Sequence, residues 1–206
     1  MPSRFGADPR AFFADVYRAP APWDIGAPQP DLIRLIEEFP PANPVLDVGC
    51  GSGDLAIELA RRGFSVIGVD FVEAAIEQAR QRASALPPDA ARRLRFDVGD
   101  ALRPSNVGEP AGAVVDSGFM HLFEADTRDS FAADLAVALR RGGRYYLLSF
   151  AVTFPIDNAP LQMDCDEVAA RFTAAAGWKI LACRAAEFLS RVATVPAIAA
   201  CVERTS

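Results

Sequence analysis

A chain of 206 residues, 51% hydrophobic and 23% charged with a formal net charge of −6, has the length of one domain and can bury roughly 70% of the surface its unfolded form exposes. That composition excludes a disordered polymer, and no run of about 18 apolar residues offers a transmembrane span. The negative charge speaks against nucleic-acid backbones: the one basic cluster, Arg92, Arg93 and Arg95, has no interleaved aromatic residues to stack bases and reads as a solvated helix end. The opening MPSRFGADPR lacks the apolar stretch of a signal peptide, so a cytoplasmic protein is expected, without a membrane partner.

In chain order, DPRAFFADVYR places Phe12, Phe13, Val16 and Tyr17 on one helical face, and Pro20 and Pro22 stop that helix. The stretch APWDIGAPQP (21–30) suits neither helix nor strand; proline fixes φ there and removes donors, so the segment loses little entropy on ordering and can hold Trp23 in place. Pro30 then opens a helix with Leu32, Leu35, Ile36 and Phe39 at buried-stripe spacing. From there apolar runs alternate with amphipathic ones. Strands are expected at 45–48 (VLDV), 65–70, 94–100, 112–116 and 144–150, separated by the helices DLAIELARR, VEAAIEQARQRA and TRDSFAADLAVALR, the last ended by Gly142 and Gly143. A helix from Asp164 to Ala176, stopped by Gly177, and strands at 178–183 and 197–203 finish the chain.

Strands separated by helices of about ten residues or more imply right-handed crossovers. The expected fold class is therefore α/β: a Rossmann-like, doubly wound, seven-stranded, mostly parallel sheet with its last strand antiparallel, and a helical cap and lid at residues 1–40 before the core at 41–206. Ligands of such sheets bind beyond the carboxyl ends of the strands, an edge that should carry Asp47 to Gly53, Asp70, Asp100, Asp116 and Phe150. Cys50, Cys165, Cys183 and Cys201 form no CxxC pair and His121 is the only histidine, so no metal site is expected and the four thiols are expected to be reduced and structural.

The loop LDVGCGSGD (46–54) joins the first strand of the sheet to its helix, and Gly49, Gly51 and Gly53 allow close approach of a ligand to the backbone. Gly51, Gly53 and Ala56 also satisfy the dinucleotide pattern, with Asp70 at the distance of a ribose-binding acid, which leaves an NAD(P)-dependent oxidoreductase as an alternative. However, Asp47 and Asp54 flank the loop and no cation appears before Arg61. Carboxylates at a helix amino terminus repel a pyrophosphate, whereas a ligand bearing an ammonium and a sulfonium suits them. Charge therefore favours S-adenosyl-L-methionine.

VLDVGCGSGD, VIGVD, DVGDA and AVVDSGFMHLF, in this order and spacing, resemble the successive motifs of class I S-adenosylmethionine-dependent methyltransferases. WDIGAPQP and the helix after it resemble the first segment of the small-molecule, thiopurine methyltransferase-like group. The resemblance implies that Asp47 and the backbone of Gly49, Cys50 and Gly51 surround the methionine end. It puts Asp70 on the ribose hydroxyls, Phe71 beside the adenine, Asp100 and the Ala101 amide on the adenine edge, and Asp116 where the methyl group projects. Methyltransferases acting on nucleobase amino groups carry an Asn/Asp-Pro-Pro-aromatic motif where this chain has DSGF, so a DNA substrate is disfavoured.

The sulfonium carries its own activation, so the protein mainly holds a nucleophile in line and excludes water. Phe13, Tyr17 and Trp23 before the sheet, Phe119 and Met120 after the fourth strand and Phe154 in the loop at 151–163 offer aromatic and soft walls for a small aromatic or heterocyclic acceptor, with Trp23 packing over the methionine end. His121, just past the fourth strand, is a candidate base or substrate hydrogen-bond partner, or a satisfied helix-start residue. Sulfur, nitrogen and oxygen remain open as the methylated atom, and a non-catalytic S-adenosylmethionine sensor or scaffold remains the second reading.

Overall fold

The computed structural model describes residues 5–156 and 158–206. Two helices, α1 (Pro9–Val16) and α2 (Pro30–Glu38), precede the alternating part of the chain: β1 (Val45–Val48), α3 (Asp54–Arg61), β2 (Val66–Asp70), α4 (Glu73–Ala83), α5 (Pro88–Ala91), β3 (Leu94–Val98), β4 (Ala111–Ser117), α6 (Ala125–Ala138), β5 (Leu139–Phe150), α7 (Cys165–Arg171), β6 (Trp178–Leu189) and β7 (Thr194–Arg204). One seven-stranded sheet has the order β3-β2-β1-β4-β5-β7-β6. β1 to β5 are parallel, and β7 returns antiparallel between β5 and β6. The strand order reverses between β1 and β4, which places a ligand crevice at their carboxyl ends.

Alternate residues of the central strands feed two cores, as the pleat requires. Val45, Val115, Tyr146 and Leu148 pack with Leu32, Leu35 and Ile36 of α2, Leu59 of α3 and Ile76 of α4. Leu46, Val114, Tyr145 and Leu147 pack on the opposite face with Phe131 and Leu135 of α6, Phe172 and Trp178. Fully burying one such side chain contributes about 1.5–3 kcal/mol, so these strands hold the crevice residues at their ends in place. α2 is part of the sheet covering, and Tyr146 Oη donates to the Phe39 carbonyl at its end at 2.6 Å. α1 is different: Phe13 and Tyr17 pack on Val72 and Ala75 at the start of α4, and Gln78 Nε2 donates to the Tyr17 carbonyl at 2.8 Å.

The stretch 21–30 is a strap. Gln29 Nε2 donates to the Leu189 carbonyl at 2.9 Å while Gln29 Oε1 accepts from the Leu189 amide at 2.8 Å, which ties the strap to the end of β6. The Arg191 amide donates to the Pro22 carbonyl at 2.8 Å, so the strap also holds the turn between β6 and β7.

Four sequence expectations need correction. α6 stops at Ala138 rather than at Gly142 and Gly143, because Leu139 pairs with Ala111 and the LRRGG stretch enters β5 through a register irregularity. The last helix stops at Arg171; a 3₁₀ turn at Ala174–Ala176 and Gly177 with φ 79° complete the segment. β6 and β7 run to Leu189 and begin at Thr194, much longer than expected, since β6 is an edge strand with small and polar residues that carry little hydrophobic signal. Finally, Cys165 and Cys183 form a disulfide with Cα atoms 5.8 Å apart, leaving Cys50 and Cys201 free. The expectation of four reduced thiols therefore fails for this pair, which only the packing of α7 on β6 brings together. Among the described residues, no helix is long and apolar enough to cross a membrane.

Candidate active site

A cleft of about 1040 Å³, counted to its open mouth, lies at the carboxyl ends of β1, β2, β4 and β5. Its floor is the glycine loop. Gly49 and Gly51 have φ of 63° and 52°, in the left-handed region that favours glycine. A Cβ on Gly49 would sit 2.5 Å from the Phe119 ring, and one on Gly51 would sit 2.6 Å from Tyr17 Oη. The loop thus needs glycine both for its turn and because aromatic side chains close over it.

Asp70 fixes the loop to the end of β2: its Oδ2 accepts from the Gly51 amide at 3.0 Å and its Oδ1 from the Val72 amide at 2.9 Å. Burial raises its carboxyl above the usual range, against those bonds. Asp47 is more deeply placed, only 2% exposed, and its Oδ2 has no hydrogen-bond partner. Burial first, then the Asp116 charge, push its carboxyl well above the ordinary value, opposed by a backbone hydrogen bond from Ala56. A partnerless carboxylate oxygen in a cleft is costly unless a ligand completes it.

Trp23, Phe13 and Tyr17 form one wall of the cleft, and Phe71 joins them on the side of β2. Trp23 is 38% exposed, with its ring edge-on to Phe13 and Tyr17 at centroid distances of 6.2 and 6.1 Å. Phe119, His121, Phe150 and Phe188 form the opposite wall, with Pro160 from the loop at 151–163 above it. His121 is 3% exposed. Its Nδ1 accepts from the Phe150 amide at 3.2 Å, and burial, reinforced by the Arg128 charge, pushes the ring down to about 3. It is neutral at physiological pH.

Of the other residues singled out from sequence, Cys50 lines the cleft and the rest lie outside it. Asp116 is fully buried behind the wall, accepting from the Phe119 amide at 2.6 Å, the Met120 amide at 2.9 Å and Tyr145 Oη at 2.7 Å. It shapes the turn that carries Phe119. Met120 is buried in the core beside α6, and Ala101 belongs to that core as well. Asp100 is exposed and accepts from the Leu102 amide at 3.0 Å in its own turn. Phe154 packs on Phe150, ring centroids 5.3 Å apart, without lining the cleft. Cys50 lines it beside Gly51, and burial holds its thiol well above the ordinary range.

Residues 45–143 match a family described as a methyltransferase domain. The chain is 32% identical over 137 residues to the 2-heptyl-1-hydroxyquinolin-4(1H)-one methyltransferase of Mycobacteroides abscessus, covering 66% of this chain and 59% of that protein. It is 26% identical over 147 residues to probable thiol methyltransferase 2 of Arabidopsis thaliana, covering 71% and 64%. The matches thus span about three fifths of the length of these curated relatives. Among solved structures it is similar to a protein from work on the conversion of a disulfide bond into a thioacetal group during echinomycin biosynthesis, with 30% identity, 96% of this chain, 93% of that one and a TM-score of 0.80. The fold is also that of the 1,6-didemethyltoxoflavin-N1-methyltransferase of Burkholderia thailandensis, with 19% identity, all of this chain, 91% of that one and a TM-score of 0.74.

Residues 45–143 belong to the methyltransferase domain family. The cleft built on them fits S-adenosylmethionine chemically. Asp24, Asp47, Asp54 and Asp70 line it, and no lysine or arginine does so among the described residues. The dinucleotide alternative would bring a pyrophosphate against these carboxylates.

Sequence reasoning missed the clamp that fixes the methyltransferase strap to this loop. Asp24, 5% exposed, accepts from Arg82 Nη2 at 2.6 Å and from Ser52 Oγ at 3.0 Å. Arg82 Nη1 also bridges both oxygens of Asp54 at 2.8 Å. Burial works to raise the Asp24 carboxyl, and hydrogen bonds from Arg82, Gly26 and Ser52 overcome it, leaving it below its ordinary value. Phe188 was missed because it lies beyond the expected end of its strand at 183. Alternation into the cleft was its only signal.

Proposed function

We propose that this protein transfers the methyl group of S-adenosylmethionine to a small, neutral acceptor with a ring-bearing or otherwise apolar body, and that sulfur is the acceptor atom. The observation that carries this is the cleft itself: a glycine loop with the partnerless Asp47 Oδ2 opens directly into a chamber of aromatic side chains. In this reading the cofactor supplies an activated methyl group, and the protein binds, orients and keeps water away. Asp47 faces the cationic methionine end, Asp70 the ribose and Phe71 the adenine. Trp23, Phe13 and Tyr17 act as a lid, so the cap divides into α1 and the strap, which wall the cleft, and the sheet-bound α2.

Sulfur is supported by the lack of a free imidazole base at the acceptor wall. Among the described residues, His121 is the only imidazole, and its Nδ1 is occupied by the Phe150 amide. A thioether or disulfide sulfur attacks through a lone pair without losing a proton, so it needs no base. Two relatives point the same way: one is named a probable thiol methyltransferase and one was solved in work on a disulfide-to-thioacetal conversion. The quinolinone named for a third relative is a flat heterocycle carrying an apolar heptyl chain.

The test is release of S-adenosylhomocysteine from S-adenosylmethionine with a panel of cyclic sulfides, disulfides, thiols, phenols and heteroaromatic amines. Turnover with neutral sulfur compounds supports the reading; turnover confined to phenols or amines overturns the choice of sulfur. Cofactor binding with no turnover across the panel favours a non-catalytic sensor.

A further inference from the structure

His121 occupies the junction of three elements around the acceptor wall. Its carbonyl accepts from the Leu161 amide at 2.7 Å, holding the loop at 151–163. Its Nδ1 accepts from the Phe150 amide at the end of β5. Its ring lies on that of Phe150, centroids 4.5 Å apart and tilted by 32°, with Phe188 at 6.4 Å. The imidazole is therefore fixed in position and in orientation. A backbone N–H can only donate, so Nδ1 carries no proton, and a neutral ring must carry its proton on Nε2.

Nε2 has somewhere to point. Among the described residues no group pairs with it, and it is absent from the buried polar atoms without a partner, which are Asp47 Oδ2, Arg128 Nη2 and Ser149 Oγ. His121 and Gly118 both line the cleft. A Cβ on Gly118 would stand 3.2 Å from His121 Cε1 and 3.3 Å from Nε2, so glycine keeps this edge of the ring open. Among the groups packed around the ring, Arg128 of α6 is the charge that acts on it, and it opposes a second proton.

We propose that His121 is a fixed hydrogen-bond donor to the substrate, its Nε2–H taking a carbonyl oxygen or ring nitrogen carried on the same neutral scaffold as the methylated atom. This rests on the methyl-transfer reading above and adds to it a substrate class: an uncharged molecule with an apolar body and one accepting oxygen or nitrogen. His121 then selects and orients the substrate through binding and takes no proton from it. The aromatic walls hold the body of the molecule, and the fixed donor on the wall opposite Trp23 and Tyr17 sets which way round it enters.

Because the chain has one histidine, ¹⁵N-histidine labelling gives one ring to observe. With S-adenosylhomocysteine bound, the expected spectrum shows a protonated Nε2 and a bare Nδ1, unchanged between about pH 5 and 8. Thiochroman-4-one, which has a ring sulfur and a carbonyl, should shift the Nε2–H signal and bind about threefold to tenfold more tightly than thiochroman, which lacks the carbonyl. The preference should vanish in His121→Phe and persist in His121→Gln, whose amide can still donate. A ring that titrates in that range, a proton on Nδ1, no preference for the ketone, or a preference that survives His121→Phe overturns the proposal. So does failure of both probes to bind while S-adenosylhomocysteine binds. Failure of S-adenosylhomocysteine itself to bind, read by calorimetry on the same samples, strikes the methyl-transfer reading instead and takes this one with it.

Discussion

Asp24 and Arg82 are paired at 2.6 Å although 58 residues separate them, and this pair fastens the proline-rich strap to the last turn of α4. Asp24 is buried while Arg82 is about one third exposed. Arg82→Met leaves a buried carboxylate without its cation and should cost about 1–2 kcal/mol, less than the 3–5 kcal/mol typical of a fully buried pair because solvent still screens the guanidinium. Urea unfolding measures this. The Asp24 carboxyl is held below its ordinary value, so its contribution is present above the unfolded pKa of about 3.9 and is lost as pH falls through the folded one. Stability of the wild type and Arg82→Met should therefore converge in acid.

His121 gives a second pH dependence of known sign. The native ring is pushed down to about 3 against about 6.5 in the unfolded chain, so between these values the unfolded state binds more protons. Wild-type stability, taken as the difference from His121→Gln, should rise with pH from about 3 to about 6.5 and level off above. Asp116 works in the opposite direction, since burial raises it to about 6, so the subtraction against the variant is needed. A difference that is flat across the range would mean that the ring is not buried as described.

Gly51 and Tyr17 form a testable contact. Gly51→Ala places a methyl in a left-handed position, which costs about 1–2 kcal/mol, and drives it against Tyr17 Oη. Affinity for S-adenosylhomocysteine should fall by about tenfold or more, and Tyr17→Phe in the same chain should recover part of the loss, a coupling that a double-mutant cycle resolves. Additive losses would show that Tyr17 does not close on the loop.

The Cys165–Cys183 disulfide closes a segment with a sequence separation of 18 residues, for which the chain-entropy contribution is about 3 kcal/mol. Cys183→Ser should lower the melting temperature and make it insensitive to reductant, while S-adenosylhomocysteine affinity stays within about twofold because neither cysteine lines the cleft. An equal loss of affinity would tie α7 to the site.

Trp23 reports on the lid. In a Trp178→Phe background it is the only tryptophan, and its indole lines the cleft, so S-adenosylmethionine should change its emission through contact of about 0.5–2 kcal/mol with a cation. Trp23→Ala should reduce turnover without unfolding the protein. Unchanged emission and full activity would leave the strap a purely structural element.

The parts of this molecule legible in the sequence were those enforced locally. The glycine loop announced itself because Gly49 and Gly51 need conformations and clearances no other residue provides, and β1, β2 and β4 did so through buried apolar runs. What depended on distant partners stayed hidden. Nothing near Asp24 names Arg82, nothing near Cys165 names Cys183, and Leu139 looked like the next helical residue until its pairing with Ala111 made it a strand. Asp116 had the residue type and place of a ligand, yet Phe119, Met120 and Tyr145 use its oxygens. Phe188 could be placed in the site only once β6 was seen to reach the cleft.

The most direct measurement is calorimetric titration of S-adenosylhomocysteine into the wild type and Asp70→Ala, with NAD as control. Asp70 spans the loop and β2 at the floor of the cleft, and two charge-assisted hydrogen bonds of about 1.5–3 kcal/mol each are at stake. Binding to the wild type, a loss of about tenfold or more in a folded Asp70→Ala and silence from NAD is the expected result. Wild-type affinity in Asp70→Ala, or binding of NAD in place of S-adenosylhomocysteine, would contradict the assignment of this cleft to the methyl donor.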